Sequence, residues 1–129
     1  MAHLLLDTHA LLWWIAGQTS LTIRARGGIG ADENEIFVSA ASVWEIATKF
    51  RIGKLPQAAR VALDMAGTIA DEGFIELPVT VAHAERAGAL PGPLRDPFDR
   101  MLVAQSIVEG MPLISNERQF DRYGIIRVW

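Results

Sequence analysis

Cysteine is absent from this chain of 129 residues. That excludes a disulfide framework, a thiolate metal site and a cysteine nucleophile, and it agrees with a reducing compartment. Histidine is scarce: His3, His9 and His83 are too scattered for a recognised metal spacing. Positive charge is in deficit as well, since 12 Lys and Arg stand against 15 Asp and Glu for a formal net charge of −3. A polyanion therefore cannot be held by bulk charge, only by a local basic strip or through a metal. No uninterrupted apolar run approaches the roughly 20 residues of a membrane span. The start, MAHLLLDTHALLWWIAG, lacks a basic leader and is interrupted by Asp7 and His9, so it reads poorly as a signal peptide. Half of the residues are hydrophobic, enough for one core, and the expectation is a single domain over residues 1–129, cytoplasmic and without a membrane contact.

What is present is an alternation of short apolar runs with segments of helical period, the pattern of an α/β protein with a mostly parallel sheet. Strands are expected at His3–Leu6, Ile36–Val38, Ile75–Leu77, Leu113–Ile114 and Ile125–Val128. Helices are expected at Ala10–Ala16, Leu21–Ala31, Ser42–Arg51, Ala59–Glu72, Val81–Ala87 and Pro97–Glu109. Val43, Ile46, Ala47 and Phe50 fall at the spacing of one buried helical face. The glycines of RGGIGAD, Arg26 to Asp32, have neither phosphate-loop spacing nor a preceding strand, so they read as a frayed helix or turn.

Ligands of open α/β sheets gather outside the carboxyl ends of the strands, and here the residues at those ends are acidic or hydroxylic. The first strand runs into Asp7-Thr8, the second into Ser39 and a helix carrying Glu45, the fourth into Ser115-Asn116-Glu117. RDPFDRMLVAQS, from Arg95, adds Asp96 and Asp99 at a helix start. In a parallel sheet Asp7, Glu45, Asp99 and Glu117 would share one edge. Such a cluster is costly without a cation, because like charges and desolvation both raise carboxyl pKa values. Oxygen donors without His or Cys favour Mg²⁺ or Mn²⁺, and the chemistry this suits best is phosphodiester hydrolysis by water that the ion activates.

Each acid also has a local explanation. Asp7 is a good N-cap, Glu45 and Lys49 form an i, i+4 pair, and Glu117 suits the first turn of a short helix. Asp96 as N-cap, Pro97 at N1 and Asp99 at N3 resemble a capping box in which Asp replaces Glu. That accounts for Asp96 fully and for Asp99 less well, since its side chain is short. Ser39, Ser42 and Ser115 lack a nucleophile elbow, which makes a serine hydrolase improbable. Lys49, Arg51, Lys54, Arg95 and Arg100 would rim a metal pocket and hold phosphates, or serve solubility alone.

LLLDTHALLWW, VSAASVWEIATKFRIGKL, RDPFDRMLVAQS, PLISNERQF and IIRVW, in this order along the chain, together resemble the PIN-domain ribonucleases, specifically the VapC-like toxins of bacterial toxin-antitoxin pairs. The resemblance implies a three-layer α/β/α sandwich and a Mg²⁺- or Mn²⁺-dependent endoribonuclease that leaves a 5′-phosphate and a 3′-hydroxyl. It assigns Asp7, Glu45 and Asp99 to the metal site and puts Glu117 at the fourth position, where the family more often has Asp. It also implies a VapB-like antitoxin and a homodimer, with Trp13, Trp14 and Trp44 as candidates for partner contact. A phosphatase of the haloacid-dehalogenase type is disfavoured, because His9 stands where it needs a second aspartate. A catalytically silent PIN-like binding module is the remaining alternative.

Overall fold

Leu4, Leu5 and Leu6 lie in β1 (His3–Leu6), buried on both sides at the centre of the sheet. The computed structural model describes residues 1–129. It adds β2 (Glu35–Ser39), β3 (Ile75–Leu77), β4 (Leu113–Ile114) and β5 (Arg127–Val128) in the order β3-β2-β1-β4-β5. Every neighbouring pair is parallel, with Leu6 level with Val38 on one side and Ile114 on the other.

Seven α-helices cover the sheet: α1 (Thr8–Ile15), α2 (Ile23–Gly30), α3 (Ala40–Arg51), α4 (Ala59–Ala62), α5 (Met65–Asp71), α6 (Val81–Ala89) and α7 (Pro97–Glu109). Alternation along β1 sorts them into two layers. Leu4 and Leu6 pack with Leu11, Ile29, Ile46 and Ile69 on one face, and Leu5 packs with Leu90, Leu102, Val103 and Phe120 on the other. The result is the expected α/β/α sandwich. Both faces of β1 are covered, which is why it reads as an unbroken apolar run.

The chain builds outward from β1 to β3, then crosses to the far side of β1 to lay down β4 and β5. Such a reversal of strand order opens a crevice at the carboxyl ends of the strands beside it, here β1 and β4.

Three expected elements differ from those observed. The helix expected over Ala59–Glu72 is broken at Leu63-Asp64, where Asp64 leaves the helical conformation and caps α5 by accepting from the Gly67 amide at 3.0 Å. Gly67 permits this, for a Cβ there would sit 2.2 Å from the Asp64 carboxylate. The glycines of RGGIGAD do not fray α2: Thr22 caps it, and the helix runs from Ile23 to Gly30. The last strand is two residues long rather than four, because Ile126 is turned out and is 67% exposed.

Candidate active site

Asp7 follows β1 directly, and its amide donates to the Ile114 carbonyl at 3.0 Å, extending the β1–β4 ladder to the crevice. Its Oδ1 accepts from the Ala10 amide at 2.7 Å and so caps α1. Capping thus coexists with a place in the crevice. Asp7 is 6% exposed; burial pushes its carboxyl above the ordinary range, with Glu45 adding to the rise and the Ser115 hydroxyl and the Ala10 amide opposing it.

Glu45 comes from the second turn of α3 and is buried. Two groups fix it: the Thr8 hydroxyl donates to Oε1 at 2.7 Å, and the Lys49 ammonium is paired with Oε2. Ser42 Oγ lies 3.0 Å from the same Thr8 hydroxyl. Burial alone would lower the Lys49 pKa, but the hydrogen bond to Glu45 and the charges of Glu45, Asp96 and Asp99 raise it. Lys49 is therefore a fixed cation at the wall of the crevice.

At the start of α7 the two aspartates are unequal. Oδ1 of Asp96 accepts from the amides of Phe98 and Asp99 at 2.8 and 3.0 Å, the geometry of an N-cap followed by Pro97 at N1. Asp99 does not complete a capping box: its side chain makes no hydrogen bond and faces the other acids. Burial, then the charges of Asp96, Glu45, Asp7 and Glu117, push its carboxyl up to about 7.

Glu117 lies at the edge of this group. It caps the 3-10 turn Arg118–Tyr123, accepting weakly from the Gln119 amide at 3.4 Å, while its own amide donates to Ser115 Oγ at 3.0 Å. The fold thus brings Asp7, Glu45 and Asp99 to one crevice with Glu117 on the rim.

The donor set is all oxygen, and it includes a half-buried carboxylate without a hydrogen bond among like charges. These properties suit a hard divalent cation. No three acids or histidines already converge on one point. An ion bound here would take one or two of these carboxylates directly and reach the others through water, as Mg²⁺ does.

Not every expected residue points here. Arg100 donates to the carbonyls of Ala87, Leu94 and Leu90 at 3.0, 2.7 and 2.6 Å, which ties α6 and the proline loop to α7 and takes its guanidinium away from any phosphate. Arg51, Lys54 and Arg95 are exposed. Trp13 and Trp14 are both half-buried, the first stacked with His9 and tilted against Trp129, the second donating from Nε1 to Glu72 at 3.2 Å. Trp13 borders a cleft of about 840 Å³ that also involves His9, Leu55, Arg60 and Asp64. Ser115, directly after β4, and Thr8, just beyond Asp7 at the end of β1, orient the acids, and their places by strand ends are their only mark in the sequence.

The PIN-domain family model matches residues 4–126. The chain belongs to the PIN-domain family. It is 31% identical over 120 residues to ribonuclease VapC22 of Mycobacterium tuberculosis (strain ATCC 25618 / H37Rv), covering 92% of this chain and 90% of that protein. Solved structures share the PIN fold at lower identity. VapBC2 of Rickettsia felis, bound to a promoter DNA fragment, superposes with a TM-score of 0.72 at 17% identity, covering 97% of this chain and 96% of that one. For VapC20 of M. tuberculosis, a toxin that cleaves the sarcin-ricin loop, the values are 0.67 and 15%, covering 95% and 96%. FitAcB of Neisseria gonorrhoeae gives 0.60 and 16%, covering 96% and 95%. Among PIN-domain relatives this one is VapC-like.

Proposed function

We propose that this PIN domain is a divalent-metal-dependent endoribonuclease, the toxin of a toxin-antitoxin pair. The observation that carries the reading is Asp99, a half-buried carboxylate without a hydrogen bond, raised to about 7 by burial and four acidic neighbours at a topological switch point. Its similarity to a VapC ribonuclease at 31% identity supports RNA as the substrate.

Asp7, Glu45 and Asp99 would hold Mg²⁺ or Mn²⁺, with Glu117 contributing from the rim. When bound, the cation supplies water activation and neutralises charge on the scissile phosphodiester. The chain does the rest. Thr8 holds Glu45 in one orientation, Ser115 supports Asp7, and Lys49 places a positive charge where a phosphate enters. Hydrolysis puts the water oxygen on phosphorus, breaks one P–O bond and returns a proton to the leaving oxygen.

A VapB-like antitoxin belongs to the same reading, supported by the VapBC2 complex among the structural neighbours, and a homodimer is proposed with it. The cleft at Trp13 is the candidate seat for an antitoxin segment. The test is incubation of the purified protein with RNA in Mg²⁺ or in EDTA, beside Asp99→Asn. Cleavage that needs Mg²⁺ and falls at least 100-fold in the variant is expected, in line with losses on removing a group that stabilises transition-state charge. Binding of metal with no cleavage of any RNA would favour the silent module instead.

A further inference from the structure

We propose that Trp44 and Phe98 form a stacking platform for one RNA base next to the scissile phosphate. The proposal rests on the ribonuclease reading and adds to it a residue pair that positions substrate. Trp44 immediately precedes Glu45 on α3, and Phe98 immediately precedes Asp99 on α7. Their rings meet across the two helices, edge to face, with centroids 5.0 Å apart and planes at 76°. The pair therefore sits one residue from an acid on each side of the crevice.

The core does not require these rings. Trp13 and Trp14 pack against the buried cluster of α1 and α2, but neither Trp44 nor Phe98 joins either cluster. Trp44 is 65% exposed, which leaves its indole open to a ligand. Phe98 packs edge to face with the indole, and Pro97 with the Asp96 cap fixes the backbone that carries Phe98. A rigid aromatic held this way is preorganised for stacking.

The setting favours a nucleic acid over an apolar peptide. Trp44 shares α3 with Glu45 and Lys49, and Phe98 shares α7 with Asp99, so a strand with its phosphate at the acids would bring a flanking base toward the rings. Base stacking on an aromatic tolerates any base. The platform would thus fix the register of the strand without choosing its sequence.

The experiment is a cycle of Trp44→Ala and Trp44→Phe against intact RNA and RNA made abasic on either side of the cut in turn. It is read by equilibrium binding with Ca²⁺ in place of Mg²⁺, and by KM and kcat with Mg²⁺. Trp44→Ala is expected to weaken binding and raise KM by roughly 5- to 100-fold with kcat little changed, and Trp44→Phe to keep most of the affinity. Abasic RNA should lose a similar factor on the wild type and nothing further on Trp44→Ala. The proposal is overturned if Trp44→Ala, with an unchanged circular dichroism spectrum, binds and cleaves like the wild type, or if the two losses simply add. It is equally overturned if the variant changes only self-association in sedimentation, which would make the pair a protein interface. A wild type that neither binds nor cuts any RNA defeats the ribonuclease reading, and this proposal with it.

Discussion

At the scale of single residues, Asp96 and Asp99 show how neighbouring aspartates acquire different work. Asp96 uses its oxygen on two helix amides, and Asp99 is left facing other acids. Asp96→Ser keeps a cap and should retain most cleavage, whereas Asp96→Ala should lose about 1 kcal/mol of stability, measurable in urea. The raised Asp99 pKa has a definite sign. A carboxyl at about 7 when folded, against 3.8 ordinarily, binds its proton more tightly in the native state, so its contribution to stability is fully present below 3.8 and is lost as pH rises through about 7. Metal-free protein in EDTA should melt lower at pH 8 than at pH 5, and Asp99→Asn should flatten that difference. A wild-type melting temperature independent of pH over this interval would contradict the assignment. Thr8→Val removes the donor that fixes Glu45 and should weaken Mn²⁺ binding by about 10-fold in calorimetry, in line with outer hydrogen bonds at metal sites. In the sequence, Asp7, Glu45 and Glu117 were legible by their places after strands, and Asp99 by its place at a helix start. The orienting hydroxyls were not, because Thr and Ser at strand ends are equally common as turn formers and caps.

Among the elements, α6 and α7 are locked together by groups that stay clear of the acids. The Thr80 amide donates to His83 Nδ1 at 3.0 Å, and Nε2 on the other side of the ring lies 2.7 Å from Glu109, so the buried ring is held in one orientation between α6 and α7. Arg100 serves the same joint through three carbonyls. Arg100→Met would leave those acceptors without their donor and should cost roughly 2 kcal/mol in denaturant unfolding, while the cleavage rate of the folded fraction stays within a few-fold. Element types were read correctly where the local signal was strong, as in the apolar period of α3 and the Asp96-Pro97 start of α7. The break at Asp64 was missed because Ala59–Glu72 keeps enough apolar spacing for one helix, and a local Asp-to-amide bond, admitted by Gly67, overrides it. Arg100 was misplaced for a related reason: sequence shows its nearness to Asp99 but not the carbonyls that claim it.

For the whole molecule, the sheet order puts the acids together. Asp7, Glu45, Asp99 and Glu117 are far apart in sequence and meet because β1 lies between β2 and β4 with all strands parallel. Leu5, fully buried between β1 and the α6–α7 layer, holds that centre; Leu5→Ala should destabilise the fold by about 3 kcal/mol. The alternation of strands and helices made the sandwich legible, while the length of the edge strand and the loss of Arg100 from the site are packing outcomes no local pattern carries. The central claim is that this crevice cuts RNA with a divalent ion. The most direct test is single-turnover cleavage of one defined RNA across a Mn²⁺ titration, with wild type and Asp99→Asn side by side. The account predicts a wild-type rate that rises from zero and saturates with metal, and a folded variant at least 100-fold slower at saturation. Cleavage that persists in EDTA, or a variant as fast as the wild type, would contradict it.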